Sequence, residues 1–201
     1  MKKFDLKIIL IVLLLAIIVI FLTINSNNSS ETPRLDYTNE VYNYTFTYPT
    51  DRTIEEYSAD MVVVGLPQED SVQSEAEVRV LTSFSDQEYG DFQSFVTQSL
   101  SNLCAADGPT GSIECEGIDS REDFSSDNLV NGEKIYLTQI TRDFASDETS
   151  EDVQGPFYVF NISQRSDSDY AILVLHAPLT QTEINENLIS TMAKSLQYTA
   201  E

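Results

Sequence analysis

Phe157-Tyr158-Val159-Phe160-Asn161-Ile162-Ser163-Gln164 and Tyr170-Ala171-Ile172-Leu173-Val174-Leu175-His176-Ala177 are two runs rich in β-branched and aromatic residues. Such residues fit the pleated, packed surface of a strand. Only the polar stretch Arg165-Ser166-Asp167-Ser168-Asp169 separates them, so the spacing predicts an antiparallel hairpin, with no glycine to set the turn type. Pro178 stops the second strand.

Working outward, Thr180-x-x-Glu183 is a capping box. Ile184, Leu188, Met192 and Leu196 then recur at helical spacing and predict a closing helix. Upstream, Glu133 to Phe144 is strand-like, and Asp143 to Pro156 reads as a long acidic connection. Cys104 to Phe124 is polar, contains Gly and Pro, and reads as a loop. Before it, Phe92, Phe95, Val96, Leu100 and Leu103 mark a helix, with Ser85-x-x-Glu88 or Asp91 as the start signal. Ala76 to Phe84 and Met61 to Leu66 are strands by pattern. Tyr42, Tyr44, Phe46 and Tyr48 alternate with polar residues up to Pro49, a strand with one buried face. The order is strands, helix, strands, helix. That predicts an α+β fold with a mostly antiparallel sheet flanked by helices.

The N-terminus differs from this pattern. Ile8 to Ile24 is apolar apart from Thr23. Seventeen residues span about 25 Å as a helix, near the short end of what a bilayer core requires. Lys2, Lys3 and Lys7 precede the run, and the next basic residue is Arg34. The positive-inside rule then predicts residues 1–7 as a cytoplasmic basic stub and 8–24 as a transmembrane segment. No small-x-small cleavage site and no Cys follow the run, so it reads as an uncleaved signal anchor rather than a cleaved peptide or a lipoprotein. Residues 25–36 read as a polar linker and 37–199 as one extracytoplasmic domain. A pilin would continue its apolar helix as a long amphipathic rod, which Asn25 to Pro33 does not support.

The 201-residue chain carries 33 Asp+Glu against 11 Lys+Arg, a formal charge of −22. A surface this negative repels nucleic acid and anionic lipid. Beyond residue 30 the lysines are Lys134 and Lys194. With one His, no metal site that needs two imidazoles can form within the chain.

Three stretches resemble the PsbP-like family. Tyr37-Thr38-Asn39-Glu40 leading into Tyr44-Thr45-Phe46-Thr47-Tyr48-Pro49 is similar to its opening hairpin. Val130-Asn131-Gly132-Glu133 is similar to the turn that opens its central hairpin, and Met192-Ala193-Lys194-Ser195-Leu196-Gln197-Tyr198 to its closing helix-to-strand signature. The family's Trp shortly after Tyr-Pro is missing: Thr50-Asp51-Arg52-Thr53 stands there, and the chain has no Trp. The resemblance implies an α-β-α sandwich outside the membrane, in a family whose members bind partner proteins or have no known role. It implies no shared catalytic residue.

Few residues are candidates for chemistry. Cys104 and Cys115 are the two cysteines, and in an exported domain an even count favours a structural disulfide. His176 could serve as a general base for Ser163 or Ser168, but neither serine sits in a nucleophile elbow, so a hydrogen-bonded strand-end histidine is expected. Three acidic groups offer carboxylates to Ca²⁺. They are Asp143, Asp147, Glu148, Glu151 and Asp152; Asp167 and Asp169; and Glu114, Glu116, Asp119, Glu122, Asp123 and Asp127. None has the calcium-loop spacing, and a solvated surface is expected. Tyr42, Tyr44, Phe46 and Tyr48 are expected as core plus sheet surface rather than as a ligand platform. Asn27, Asn28, Asn43 and Asn161 head glycosylation triplets that matter only in a glycosylating host. The sequence therefore predicts a membrane-anchored, extracytoplasmic, non-catalytic binding or assembly module for an envelope or membrane protein. Neither a cofactor nor a metal is expected. A Ca²⁺-binding domain and a hydrolase are the alternatives.

Overall fold

The computed structural model describes residues 33–83, 89–108, 111–163, 170–179 and 184–199. The apolar run 8–24, the basic stub and most of the expected linker lie outside these residues. No helix among the described residues is long and apolar enough to cross a membrane.

Strands β3 (Thr53–Ser58), β4 (Met61–Pro67) and β5 (Val72–Thr82) form one antiparallel meander. Helix α1 (Phe92–Cys104) then leads to β6 (Ala106–Gly108). From there β7 (Gly111–Ser125), β8 (Asn131–Asp143), β9 (Glu148–Asn161) and β10 (Ala171–His176) return strand by strand until β10 pairs with β5. The result is an eight-stranded sheet in the order β3-β4-β5-β10-β9-β8-β7-β6, with every pairing antiparallel. A second sheet, β1-β2-β11, is made by β1 (Arg34–Asn39), β2 (Tyr44–Pro49) and β11 (Gln197–Tyr198). Helix α2 (Glu186–Ser195) runs directly into β11 through Leu196.

Alternation along the central strands separates two cores. Phe157, Val159, Ile172 and Val174 point to one face, where Phe95, Val96 and Leu100 of α1 cover them. Tyr158, Phe160, Leu173 and Leu175 point to the other, where Leu188, Ile189 and Met192 of α2 pack with Tyr44 and Phe46 of β2. Phe157 to Phe160 and Ile172 to Leu175 are therefore buried without interruption. Unbroken apolar runs are what a strand covered on both faces requires. The layers are helix, sheet, then helix with a small sheet, in agreement with the α+β expectation.

Polar contacts hold α2 in place. Asn185 Oδ1 accepts from the Leu188 N–H at 3.2 Å as the N-cap, while its Nδ2 donates to Glu75 Oε1 at 3.1 Å. Glu75 also receives the Arg52 guanidinium. At the other end of the helix, the Asp127 N–H donates to the Lys194 carbonyl at 2.7 Å, and Asn128 Nδ2 donates to the Ser195 carbonyl at 3.0 Å. These bonds satisfy carbonyls that a helix C-terminus leaves open. The Thr47 N–H donates to Ser195 Oγ at 2.8 Å, tying the helix to β2.

Several expectations need correction. Cys104 to Phe124 is not a loop: after the helix-ending Cys104 it holds β6 and most of the 15-residue β7. Register shifts at Cys115/Ile118 and Ile118/Ser120 break the period-two pattern twice, so alternation cannot be seen along it. Asp143 to Pro156 is not a connection either. The chain turns after Asp143, and β9 begins at Glu148. Its acidic start is held by the ladder to β8, from Asp143↔Glu148 to Leu137↔Gln154. Arg34 to Asp36, expected in the linker, pair with Pro49 to Thr47 in β1–β2. Asp91 caps α1, with its Oδ1 accepting from the Ser94 N–H at 2.7 Å, whereas Ser85-x-x-Glu88 lies outside the described residues. Asn185 caps α2, and the Thr180 capping box also lies outside them.

Gly65 sits at a register shift in β4, where an added Cβ would lie 1.8 Å from the Gln73 carbonyl oxygen. Only a residue without Cβ allows that approach. Leu173 is fully buried at the centre of the second core. Leu173→Ala is expected to lower unfolding stability by about 2–5 kcal/mol in a denaturant titration. Val153→Ala, at an exposed position of β9, should stay within about 0.5 kcal/mol of the parent.

Candidate functional site

Helix α1 divides along its length. Phe95, Val96, Leu100 and Cys104 enter the core. Ser94, Thr97, Gln98 and Ser101, at positions i, i+3, i+4 and i+7, form a polar stripe facing away from it. This stripe, with Ile118 and Arg121 of β7, lines an open groove of about 630 Å³. Asp91 stands at its head, with its carboxyl held below the usual range by the Ser94 backbone N–H. Arg121 Nη1 lies 3.6 Å from Glu133 Oε1 on the neighbouring strand. The groove offers hydroxyls, amides, one guanidinium and the Asp91 carboxylate, groups that can hydrogen-bond a partner. The polar helical stripe was visible in the sequence. Its partner strand was not, because that segment read as a loop.

Cys104 at the end of α1 and Cys115 on β7 stand 5.8 Å apart at Cα, the separation that a disulfide takes. A bridge there closes a short loop and pins the helix to the strand below it. In the chain-entropy picture that stabilises the fold by about 3 kcal/mol.

His176 is 1% exposed, at the end of β10 opposite Glu77. Its ring centroid lies 5.5 Å from that of Phe157. Nδ1 donates to the Ala177 carbonyl at 2.6 Å, which assigns the tautomer. Nε2 has no hydrogen-bond partner and lies 3.7 Å from Glu77 Oε2. That carboxylate is already engaged by Arg79, at 2.9 Å from Nη2 and 3.0 Å from Nε. Burial pushes the His176 imidazole below its ordinary value, the nearby Glu77 charge opposing and Arg79 assisting. Glu77 and Arg79 were not singled out from the sequence, although their alternation in a strand was the available signal.

Ser163 does not meet His176. Its hydroxyl donates to the Ala171 carbonyl and accepts from the Ala171 N–H at the opposite end of β10. Five residues of strand put the two about 16 Å apart. Ser168 lies outside the described residues, as do Asp167 and Asp169.

The other acidic groups are spread out. Glu114 to Asp123 run along β7, and Asp143 to Asp152 lie around the exposed β8–β9 turn. Asp143 accepts from the Ala145 N–H at 2.8 Å and from the Ser146 hydroxyl at 3.0 Å, bonds that hold its carboxyl low and shape the turn. Among the described residues no three His, Cys, Asp or Glu side chains converge on a metal-sized space. Tyr44 and Phe46 are core residues, while Tyr42 lies in the β1–β2 turn and Tyr48 is half-buried. Tyr37, packed against both core rings, has its hydroxyl pushed up to about 12 by burial, with Glu56 adding to the shift. These aromatics form no exposed platform.

No family model and no curated protein matches the sequence. Solved structures similar to this chain include cyanobacterial PsbP (CyanoP) from Synechocystis sp. PCC 6803. It is 14% identical over 86% of this chain and 96% of that one, with a TM-score of 0.42. The Saccharomyces cerevisiae Ran-binding protein Mog1p is 10% identical over 85% and 97%, with a TM-score of 0.44. A protein from Bacteroides thetaiotaomicron VPI-5482 is 12% identical over 83% of this chain and 48% of that one, with a TM-score of 0.34.

Two measurements check this geometry. Intact mass without reductant should fall about 2 Da below the reduced mass if Cys104 and Cys115 are bridged; equal masses would refute the bridge. For His176, the unfolded chain takes up a proton near pH 6.5 that the folded chain resists. Unfolding stability tied to this residue is then present above that pH and lost below it, by up to about 1.4 kcal/mol per unit. The melting-temperature difference between the parent and His176→Gln should therefore shift against the parent from pH 7.5 to pH 5.5. A difference that does not change with pH would contradict the assignment.

Proposed function

We propose that the chain is a single-pass membrane protein whose domain lies outside the cytoplasm and acts as a non-catalytic binding or assembly module. Its partner on this reading is another envelope or membrane protein. The burial of His176 at 1% exposure carries the non-catalytic part, because the chain's one imidazole cannot reach an external substrate. The open groove supplies polar contacts in its place.

Location rests on sequence. Lys2, Lys3 and Lys7 ahead of the apolar run 8–24 favour a cytoplasmic N-terminus. A cysteine pair at disulfide distance suits an oxidising compartment. Tethering to the bilayer would raise the effective concentration of the domain for partners in the same membrane.

The test uses the full chain in its native cells, with a photo-crosslinking residue at Gln98 in the groove and, separately, at Val153 on the hairpin. Protease added to intact cells should digest the domain, and irradiation should give a discrete adduct with one envelope protein. Protection from protease would refute the location. Absence of an adduct from either position, or turnover of ester or glycoside substrates by the purified full chain, would refute the binding role.

A further inference from the structure

The sheet ends in an uncovered strand edge. From Ser120 to Ser125, β7 pairs in regular register with Tyr136 to Asn131 of β8. On its other side, β6 reaches only Gly111 to Ile113. Among the described residues nothing pairs with the outer edge of Ser120–Ser125. Outward N–H and C=O groups on such an edge are a template for another strand. Six residues match the length of an ordinary strand, about five or six.

Two further observations narrow the occupant. The groove against α1 adjoins this edge, since Arg121 belongs to both. A strand laid along Ser120–Ser125 would send every second side chain toward Ser94, Thr97 and Gln98. Acids outnumber cations here. Asp119, Glu122 and Asp123 are exposed along the edge and Asp91 heads the groove, while Arg121 faces Glu133 and Lys134 lies across the ladder from Glu122. The surface is complementary to a cation-rich chain.

We propose that an extended, lysine- or arginine-rich segment of a partner protein adds to the Ser120–Ser125 edge as a further strand, with alternate side chains in the groove. Main-chain hydrogen bonds provide the attachment, and the acidic rim selects for basic sequence. The inference rests on the binding-module reading and names its surface and its partner's chemistry.

The test uses the full chain in mild nonionic detergent and a ten-residue peptide of alternating lysine and threonine. Binding is read by titration and by amide hydrogen exchange. Saturable binding is expected, with slowed exchange confined to β7 between Asp119 and Ser125. Alternate N-methylation of the peptide should abolish binding, because it removes the main-chain donors. Asp119→Lys with Asp123→Lys should weaken binding about tenfold or more, whereas the charge-matched Glu148→Lys with Glu151→Lys should leave it within about twofold. Equal binding by the N-methylated peptide, equal loss in both double variants, protection elsewhere or no binding at millimolar peptide would each overturn the proposal. The binding-module reading is tested separately, by the crosslinked adduct. An adduct retained in Asp119→Lys/Asp123→Lys would reject this surface and keep that reading.

Discussion

The structure depends on the antiparallel contact between β5 and β10. One strand closes the early meander and the other ends the late one, and their register from Ala171↔Thr82 to His176↔Glu77 joins the halves into one sheet. Chain between the two strands travels out over α1 to the far edge and back, so this contact is the longest-range pairing in the sheet. It also lies where both faces are covered. Leu173 and Leu175 pack toward α2, and Ile172 and Val174 toward α1. Loss of this contact would expose both cores together, because each is half-built from residues on either side of it.

Around that centre the fold pairs strong packing with polar fixings at its margins. Glu75 reaches Arg52 from β5 and also the cap of α2, so one carboxylate positions a strand connection and a helix start. Asn39 does similar work at the first hairpin. Its Oδ1 accepts from the Val41 and Tyr42 N–H groups, and its Nδ2 donates to the Ala59 carbonyl at 2.8 Å. Such side-chain bonds to backbone let a turn form without glycine. On the α1 side the cysteine pair has the matching place, where a short helix meets a strand near the sheet edge.

The chemistry of the domain follows from what is buried and what is not. The imidazole is enclosed at a strand end, where burial disfavours its charged form, and among the described residues the acidic side chains do not converge. Polar side chains with ordinary hydrogen-bonding capacity gather instead in the groove between α1 and β7, beside a strand edge whose acids also deter pairing between copies of this chain.

The sequence by itself determined the α+β class, the hairpin ending in His176, both helices and the Tyr44/Phe46 core strand. The helices and the Tyr44/Phe46 strand show a period of 3.6 or two in their apolar residues, and the hairpin shows unbroken apolar runs buried on both faces. It also singled out Cys104 and Cys115, which the structure places at disulfide distance. Only the tertiary structure decided that Gly111–Ser125 and Glu148–Gln154 are strands, that Arg34–Asp36 belong to a sheet, and that Glu77 and Arg79 face His176. In those strand segments the backbone ladder to a neighbour holds the chain, and solvent receives many of the side chains, so little apolar pattern is required. The two register shifts in β7 erase what pattern remains. The groove belongs to the same class. Its helical stripe is legible in sequence, but a groove needs a second wall, and that wall is set by which strand lies beneath the helix.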